Sequence, residues 1–266
     1  MHKLLSVSLV VIAIGAGCGA DSNRHKNIDI DNDTEKYITH IIDSQKDAAN
    51  SGHLGNIINN VSADFLGTPY KANMLIGSST QSEKLVINLN GLDCFTYLDY
   101  VNALSKSTET NNFVKQLINT RYINSDISYK NRKHFFTDWS QRYPLNARDV
   151  TAEISPHSVV VTKHLNQREN GSEFIPTLGV TTRDVVYIPA AFVDRQVVHN
   201  LKTGDYIGIY THIKGLDVTH AGIFIMTPNG AIFRHASSLK NNSGVVDLPF
   251  IDYVKNTPGI IVLRAL

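Results

Sequence analysis

The spacing of apolar residues changes once along this 266-residue chain, near position 150, and that change restricts the fold more than any other feature. Before it, apolar side chains recur at helical intervals. Tyr37, Ile38, Ile41 and Ile42 do so between Glu35 and about Ala49, with Thr34 as the expected N-cap. Phe95, Leu98, Val101 and Leu104 repeat every three residues in a segment that opens at Asp93. Phe113, Leu117, Ile118 and Arg121 share one side of Asn112–Tyr122. After it come short β-type runs: Ser158–Thr162, Asp184–Ile188, Asp205–Thr211, Thr219–Met226, Ala231–His235 and Gly259–Arg264. Helices first and strands later predict an α+β fold. No repeat or low-complexity block divides the chain, so residues 35–266 are expected to form one domain.

Ahead of that domain lies an export signal. Lys3 precedes a largely apolar stretch, Leu4–Ile14, that is too short to span a bilayer. Gly15, Ala16 and Gly17 follow, then Cys18. This placement resembles the lipobox of bacterial lipoproteins, which implies cleavage before Cys18 and acylation of its thiol. On that resemblance residues 1–17 are a signal peptide and residues 18–34 a lipid-anchored tether. The mature protein is then expected in the bacterial cell envelope, facing the periplasm from the outer membrane in a Gram-negative host. An ordinary secretory signal, cut near Gly19 or Ala20, is the alternative, and it also exports the chain. Asp29, Asp31 and Asp33 alternate as in a calcium loop, but Thr34 replaces the required glycine and His40 stands at the final ligand position. A solvated acidic stretch accounts for them.

Charge excludes one class of partner. Lys plus Arg number 25 and Asp plus Glu 24, without the basic surplus that nucleic-acid binding requires. Two cysteines can form neither a disulfide scaffold nor a Cys₄ zinc site. With Cys18 assigned to the anchor, Cys94 has no disulfide partner, and a lone thiol in an oxidising compartment is either buried or used. Asn90-Gly91-Leu92-Asp93-Cys94-Phe95-Thr96 is a turn running into a helix, with Asp93 placed to cap it. The partial positive charge of that helix end predicts a depressed thiol pKa for Cys94.

A base is available in the strand region. A loop Thr227-Pro228-Asn229-Gly230 that pairs Met226 with Ala231 also sets Gly222 opposite His235. His220 and His235 then become diagonal neighbours on one face, ~7–8 Å apart at Cα, with no side chain on Gly222 between them. One imidazole could serve the thiol while the other fixes its tautomer. Composition alone also allows two among eleven histidines to fall on one face by chance. The chain lacks C-x-x-C and metal-type histidine spacing, so neither metal nor cofactor is expected.

Four segments in order carry a family likeness: Leu66-Gly67-Thr68-Pro69-Tyr70, Leu92-Asp93-Cys94, Gly204-Asp205-Tyr206, and His220-Ala221-Gly222-Ile223 leading to His235-Ala236. Through them the sequence resembles the NlpC/P60 superfamily of papain-like cell-wall cysteine hydrolases. The phrases LDCFTYLDYVNAL, GDYIGIYTHIKGLDVTHAGI and RHASS, with Arg132–Trp139, are most similar to its N-acetylmuramoyl-L-alanine amidase-like branch. The likeness spans most of residues 60–266. It implies a papain-like fold in which N-terminal helices carrying the cysteine pack on an antiparallel sheet carrying the histidines. It further implies Cys94 as nucleophile, His220 as general base, His235 as third member, Tyr70 at the oxyanion site and Asp93 shaping the substrate pocket. Phe135, Phe136 and Trp139 form either core or a ligand platform, and polar His134 and Asp138 beside them make His134, Asp138 and Trp139 candidate substrate contacts.

The superfamily's peptidases usually carry Ser-Gly after the cysteine, whereas Phe95 and Thr96 stand here. That departure favours the amide between N-acetylmuramic acid and L-alanine, with the long insert before residue 200 as a glycan-side wall. The expected partner is a peptidoglycan or muropeptide substrate, the membrane being met only through the anchor, and the expected state is a monomer. Two alternatives stand beside this reading: a γ-D-glutamyl-diamino acid endopeptidase acting on the stem peptide, and a catalytically silent murein-binding lipoprotein.

Overall fold

Four amphipathic segments make the helical layer: α1 (Asn32–Ser44), α2 (Leu54–Asp64), α3 (Cys94–Ser105) and α4 (Thr110–Arg121). The structure is a computed structural model that describes residue 30, residues 32–45 and residues 53–266. The signal segment, Cys18 and most of the tether lie outside the described residues. Helix α1 begins at Asn32, so the last residues assigned to the tether are helical and Thr34 lies within the first turn instead of capping it. Helix α2 carries apolar Leu54, Ile57, Ile58 and Val61 at helical spacing but opens after His53 without a side-chain capping bond.

Helix α3 starts where expected, through a capping box. The Asp93 carboxylate accepts from the backbone N–H groups of Phe95 and Thr96 at 3.0 and 2.7 Å, and the Thr96 hydroxyl accepts from Asp93 N–H at 3.0 Å. A buried ion pair at 2.7 Å between Asp99 of α3 and Arg121 of α4 joins the two helices.

The strands are β1 (Ala147–Asp149), β2 (Val159–Leu165), β3 (Thr181–Pro189), β4 (Tyr206–Tyr210), β5 (Val218–Thr227), β6 (Gly230–Ser237), β7 (Gly244–Pro249) and β8 (Gly259–Ala265). They form one sheet ordered β2-β3-β8-β4-β5-β6-β7, with β1 also on β8, and every pairing is antiparallel. The six predicted β-type runs are all strands; β1, only three residues long, and β7, ending in Pro249, lack a readable alternation. Short helices α5 (Asp138–Gln141), α6 (Thr151–Ile154), α7 (Arg195–Asn200) and α8 (Phe250–Val254) fill the connections.

Both faces of the sheet are covered. Ala221, Ile223, Ala236 and Leu263 join the core formed with α1–α4, whereas Ile207, Phe224, Phe233 and Ile260 pack with Phe250 and Val254 of α8. Double coverage explains why every residue of β4 is buried. The molecule is thus a mixed α/β fold built on an antiparallel sheet, with the cysteine-bearing helix against the histidine-bearing strands.

Candidate active site

Cys94 is the first residue of α3, so the capping box that starts the helix also fixes the sulfur. A neighbouring strip is laced to it on both sides. Leu92 N–H donates to Pro69 at 3.0 Å and Lys71 N–H to Leu92 at 2.9 Å, while Gly67 and Thr68 exchange bonds with Val245 at 2.9 Å. At Gly244, with φ at +146°, a Cβ would stand 2.8 Å from the Thr68 carbonyl, so this lacing requires glycine. Tyr70 is thereby held as the bridge partner of Leu92, two residues from the thiol.

The histidines arrive by strand register. Met226 pairs with Ala231 and Ile223 with Arg234, a register that sets Gly222 opposite His235. His220 Nε2 and His235 Nδ1 lie 2.7 Å apart, with the rings nearly perpendicular. Gly222 does more than clear the space between them. A Cβ there would stand 2.6 Å from the Phe233 ring, and His235 stacks on that ring at 4.8 Å and 17°. Tyr253 of α8 covers the pair, its ring centroid 5.1 Å from His235 and 6.3 Å from His220.

Cys94, His134, Phe135, Asp217, His220 and Ala221 help to line a common cavity of about 120 Å³. Burial pushes the Cys94 thiol up to about 11, and the nearby Asp93 charge adds to the rise. Backbone N–H groups of Ala221, Cys94 and Phe95 oppose it without prevailing. The sequence expectation of a depressed thiol pKa is therefore corrected: desolvation outweighs the helix end. Burial lowers His220 to about 4; burial and then the neighbouring His220 lower His235 to about 3. Near neutral pH the site holds a thiol and two uncharged imidazoles. Tyr70 and Tyr253 are both raised, by burial first and then by the proximity of Cys94, so both keep their hydroxyl protons. Among the described residues, no three His, Cys, Asp or Glu side chains converge as metal ligands.

The remaining predicted contacts divide. His134 lines the cavity, with Nε2 2.7 Å from the Tyr129 carbonyl oxygen and its pKa lowered by burial. Asp93 borders the sulfur, but Oδ1 is spent on the helix cap. Asp138 and Trp139 are corrected to structural positions. One Asp138 oxygen accepts from Arg183 at 2.8 Å and the other from Phe135 N–H at 3.0 Å, and the side chain is buried within that cluster. Trp139 is fully buried, edge-on to Tyr206 at 5.0 Å and to Phe95 at 6.2 Å, so no sugar can stack on it.

Two residues escape the sequence argument. Tyr253 sits in a five-residue helix after Pro249, with no periodic pattern to mark it. Asp217 falls inside the phrase GLDVTHAGI, a usable signal. It accepts from Thr137 N–H and hydroxyl and from Val218 N–H, all at 2.8 Å, tying the 135–138 turn to the start of β5.

A family model described as AmiA-like, N-acetylmuramoyl-L-alanine amidase-like, matches residues 60–260. A crystal structure of a Legionella pneumophila protein has a similar fold, with a TM-score of 0.74 and 23% identity over 88% of this chain and 95% of that one. A crystal structure of an N-acetylmuramoyl-L-alanine amidase from Bacteroides uniformis is similar with a TM-score of 0.65 and 28% identity, over 80% of this chain and 98% of that one. No curated relative matches the chain in sequence.

Proposed function

The chain belongs to the AmiA-like, N-acetylmuramoyl-L-alanine amidase-like family, and from that premise we propose that it hydrolyses the peptidoglycan amide between the lactyl group of N-acetylmuramic acid and L-alanine through Cys94, His220 and His235. The observation that carries this reading is the 2.7 Å contact between the two imidazoles beside a cavity that Cys94 also lines. A cysteine at a helix N-terminus meeting histidines on adjacent strands also supports membership of the papain-like NlpC/P60 superfamily.

The chemistry follows from the protonation states. An uncharged His220 has a free lone pair, and Nδ1 is the ring nitrogen left over once Nε2 meets His235. Nε2–H of His220 then donates to His235 Nδ1, which holds the base in the required tautomer. As the sulfur attacks the lactyl carbonyl, the thiol proton passes to His220 Nδ1. The resulting imidazolium returns that proton to the departing L-alanine nitrogen as the C–N bond breaks. Water, deprotonated by the same base, cleaves the thioester and releases the lactyl carboxylate and the thiol. The Cys94 backbone N–H and the Tyr70 hydroxyl are the donors assigned to the developing oxyanion.

Defined muropeptides, digested and analysed by mass spectrometry, test the bond. The expected products are a peptide with free N-terminal L-alanine and a muramic acid with a free lactyl carboxylate, and none with Cys94→Ala. Cleavage of free tri- or tetrapeptides between D-glutamate and the diamino acid would instead establish the endopeptidase. The reading includes lipid anchoring in the cell envelope through Cys18. Cys18→Ser is expected to release the protein from membranes or leave its precursor uncut, and a lipid-free mature chain starting at Ala20 excludes the anchor.

A further inference from the structure

A larger recess opens on the loop between β4 and β5. It has two adjoining parts, of about 700 and about 480 Å³, which share Arg168, Glu169, His212 and Lys214. The same loop serves both sites: His212 and Lys214 line the recess, and Leu216 and Asp217 line the Cys94 cavity. The cavity at Cys94, about 120 Å³, has the volume of only a few water molecules and cannot hold a muropeptide. Most of the substrate must therefore lie outside it.

The chemistry of the recess selects which part of the substrate it suits. Lys163, Arg168 and Lys214 bring three cations, against Glu169 alone. Glu169 pairs with Lys214 at 3.0 Å, and both are exposed. Two of the rings in the wall carry cations. Arg168 lies 4.1 Å over Phe174, while Tyr187 stacks on Tyr210 at 3.7 Å and the Lys163 ammonium stands 5.0 Å from the same ring. An anion finds surplus positive charge here.

Resting on the amidase reading above, we propose that this recess binds the free carboxylates of the stem peptide from the residue after L-alanine onward. Arg168 and Lys214 make the contacts. Lys163 organises the floor, its ammonium donating to the carbonyls of Thr211 at 2.7 Å and Ile213 at 3.1 Å.

Calorimetry on Cys94→Ala protein tests the site apart from the chemistry, with N-acetylmuramyl-L-alanyl-D-glutamate and its diamide as paired ligands. The dicarboxylate is expected to bind about threefold to tenfold more tightly, the range for two exposed charge contacts. That preference should shrink with added salt and vanish when Arg168→Gln and Lys214→Gln are added. Both side chains are exposed, so melting curves should show the fold retained. Equal binding of the two ligands, a preference that outlasts both substitutions, or no binding of either overturns the proposal. Cleavage by the Cys94-containing protein is scored separately. If the dicarboxylate is bound selectively but never cut, the amidase reading fails and the anion site stands. If both ligands are cut but bound equally, the reverse holds.

Discussion

Two polar clusters flank the Phe135–Phe136 turn, and they differ in how fully their hydrogen-bonding capacity is used. On one side Arg183 donates to the Thr137 hydroxyl at 2.7 Å and to Asp138 at 2.8 Å, Asp138 also takes Phe135 N–H, and Asp217 takes three donors. On the other, among the described residues, the Cys94 sulfur and the Tyr70 hydroxyl have no side-chain partner, and His220 keeps one ring nitrogen free. By residue type the first cluster looks at least as functional as the second. What separates them is unspent polar capacity facing a cavity. The first cluster spends its polar groups inside the fold, and the second keeps polar groups free, as the proposed reaction requires.

Deleting a reacting group should give the largest effect. Cys94→Ala and His220→Ala are each expected to lower kcat by about 10⁴-fold or more while leaving the melting curve nearly unchanged. In the proposed mechanism His235 orients the base and does not itself carry the proton to the leaving group, so His235→Ala should cost less. Turnover that survives in Cys94→Ala would break the comparison at its root.

The saturated cluster should show the opposite signature. Asp138→Ala leaves the Arg183 guanidinium buried without its carboxylate, which typically costs about 3–5 kcal/mol. Denaturant unfolding should register that loss, with KM unchanged in the fraction still folded. A raised KM at unaltered stability would return Asp138 to the substrate-contact role.

A smaller loss is expected at Tyr70, the proposed oxyanion donor. Tyr70→Phe removes a hydroxyl and little volume, so kcat should fall roughly 10²-fold with stability preserved. The pH profile sharpens the same point. In the proposed mechanism His220 must be uncharged to accept the thiol proton, and burial lowers it to about 4. As pH falls through about 4 the imidazole takes a proton from solvent, and kcat/KM should fall with it. At the other end Cys94 keeps its proton up to about 11, so the plateau should span neutral pH. An acid limb near 6.5 would mean that His220 titrates like an ordinary solvated histidine.

Much of this was legible because it is local. Asp93 caps α3 through residues two and three positions ahead, and a hairpin register needs only the turn and the two strands beside it. Parts that depend on distant packing were not legible. Whether Cys94 is a thiolate turns on how much of the rest of the chain covers it, and that burial reverses the sign expected from the helix end. Tyr253 reaches the histidines from a short helix far along the chain. Asp138 and Trp139 were misassigned for the same reason. Adjacent aromatic and polar residues look alike in sequence whether they face a ligand or an ion pair, and here Arg183, 45 residues away, decides it.

Trp139 provides the smallest expected effect and the narrowest test of that distinction. Its indole is fully buried between Tyr206 and Phe95, and Nε1 has no hydrogen-bond partner among the described residues. Trp139→Phe keeps an aromatic ring at the contact and removes a buried N–H that is bonded to nothing, so the polar loss is slight. The smaller ring leaves a void, and its cost should appear as a drop in melting temperature. Because the indole touches no space that a substrate can enter, KM for a muropeptide should stay within about twofold of the parent. A sugar platform predicts a different outcome: KM should rise several-fold for substrates that keep the glycan and remain unchanged for those trimmed to the lactyl group. Measuring KM on both substrates, alongside the melting curve, therefore separates a core tryptophan from a binding one even if the substitution destabilises the fold.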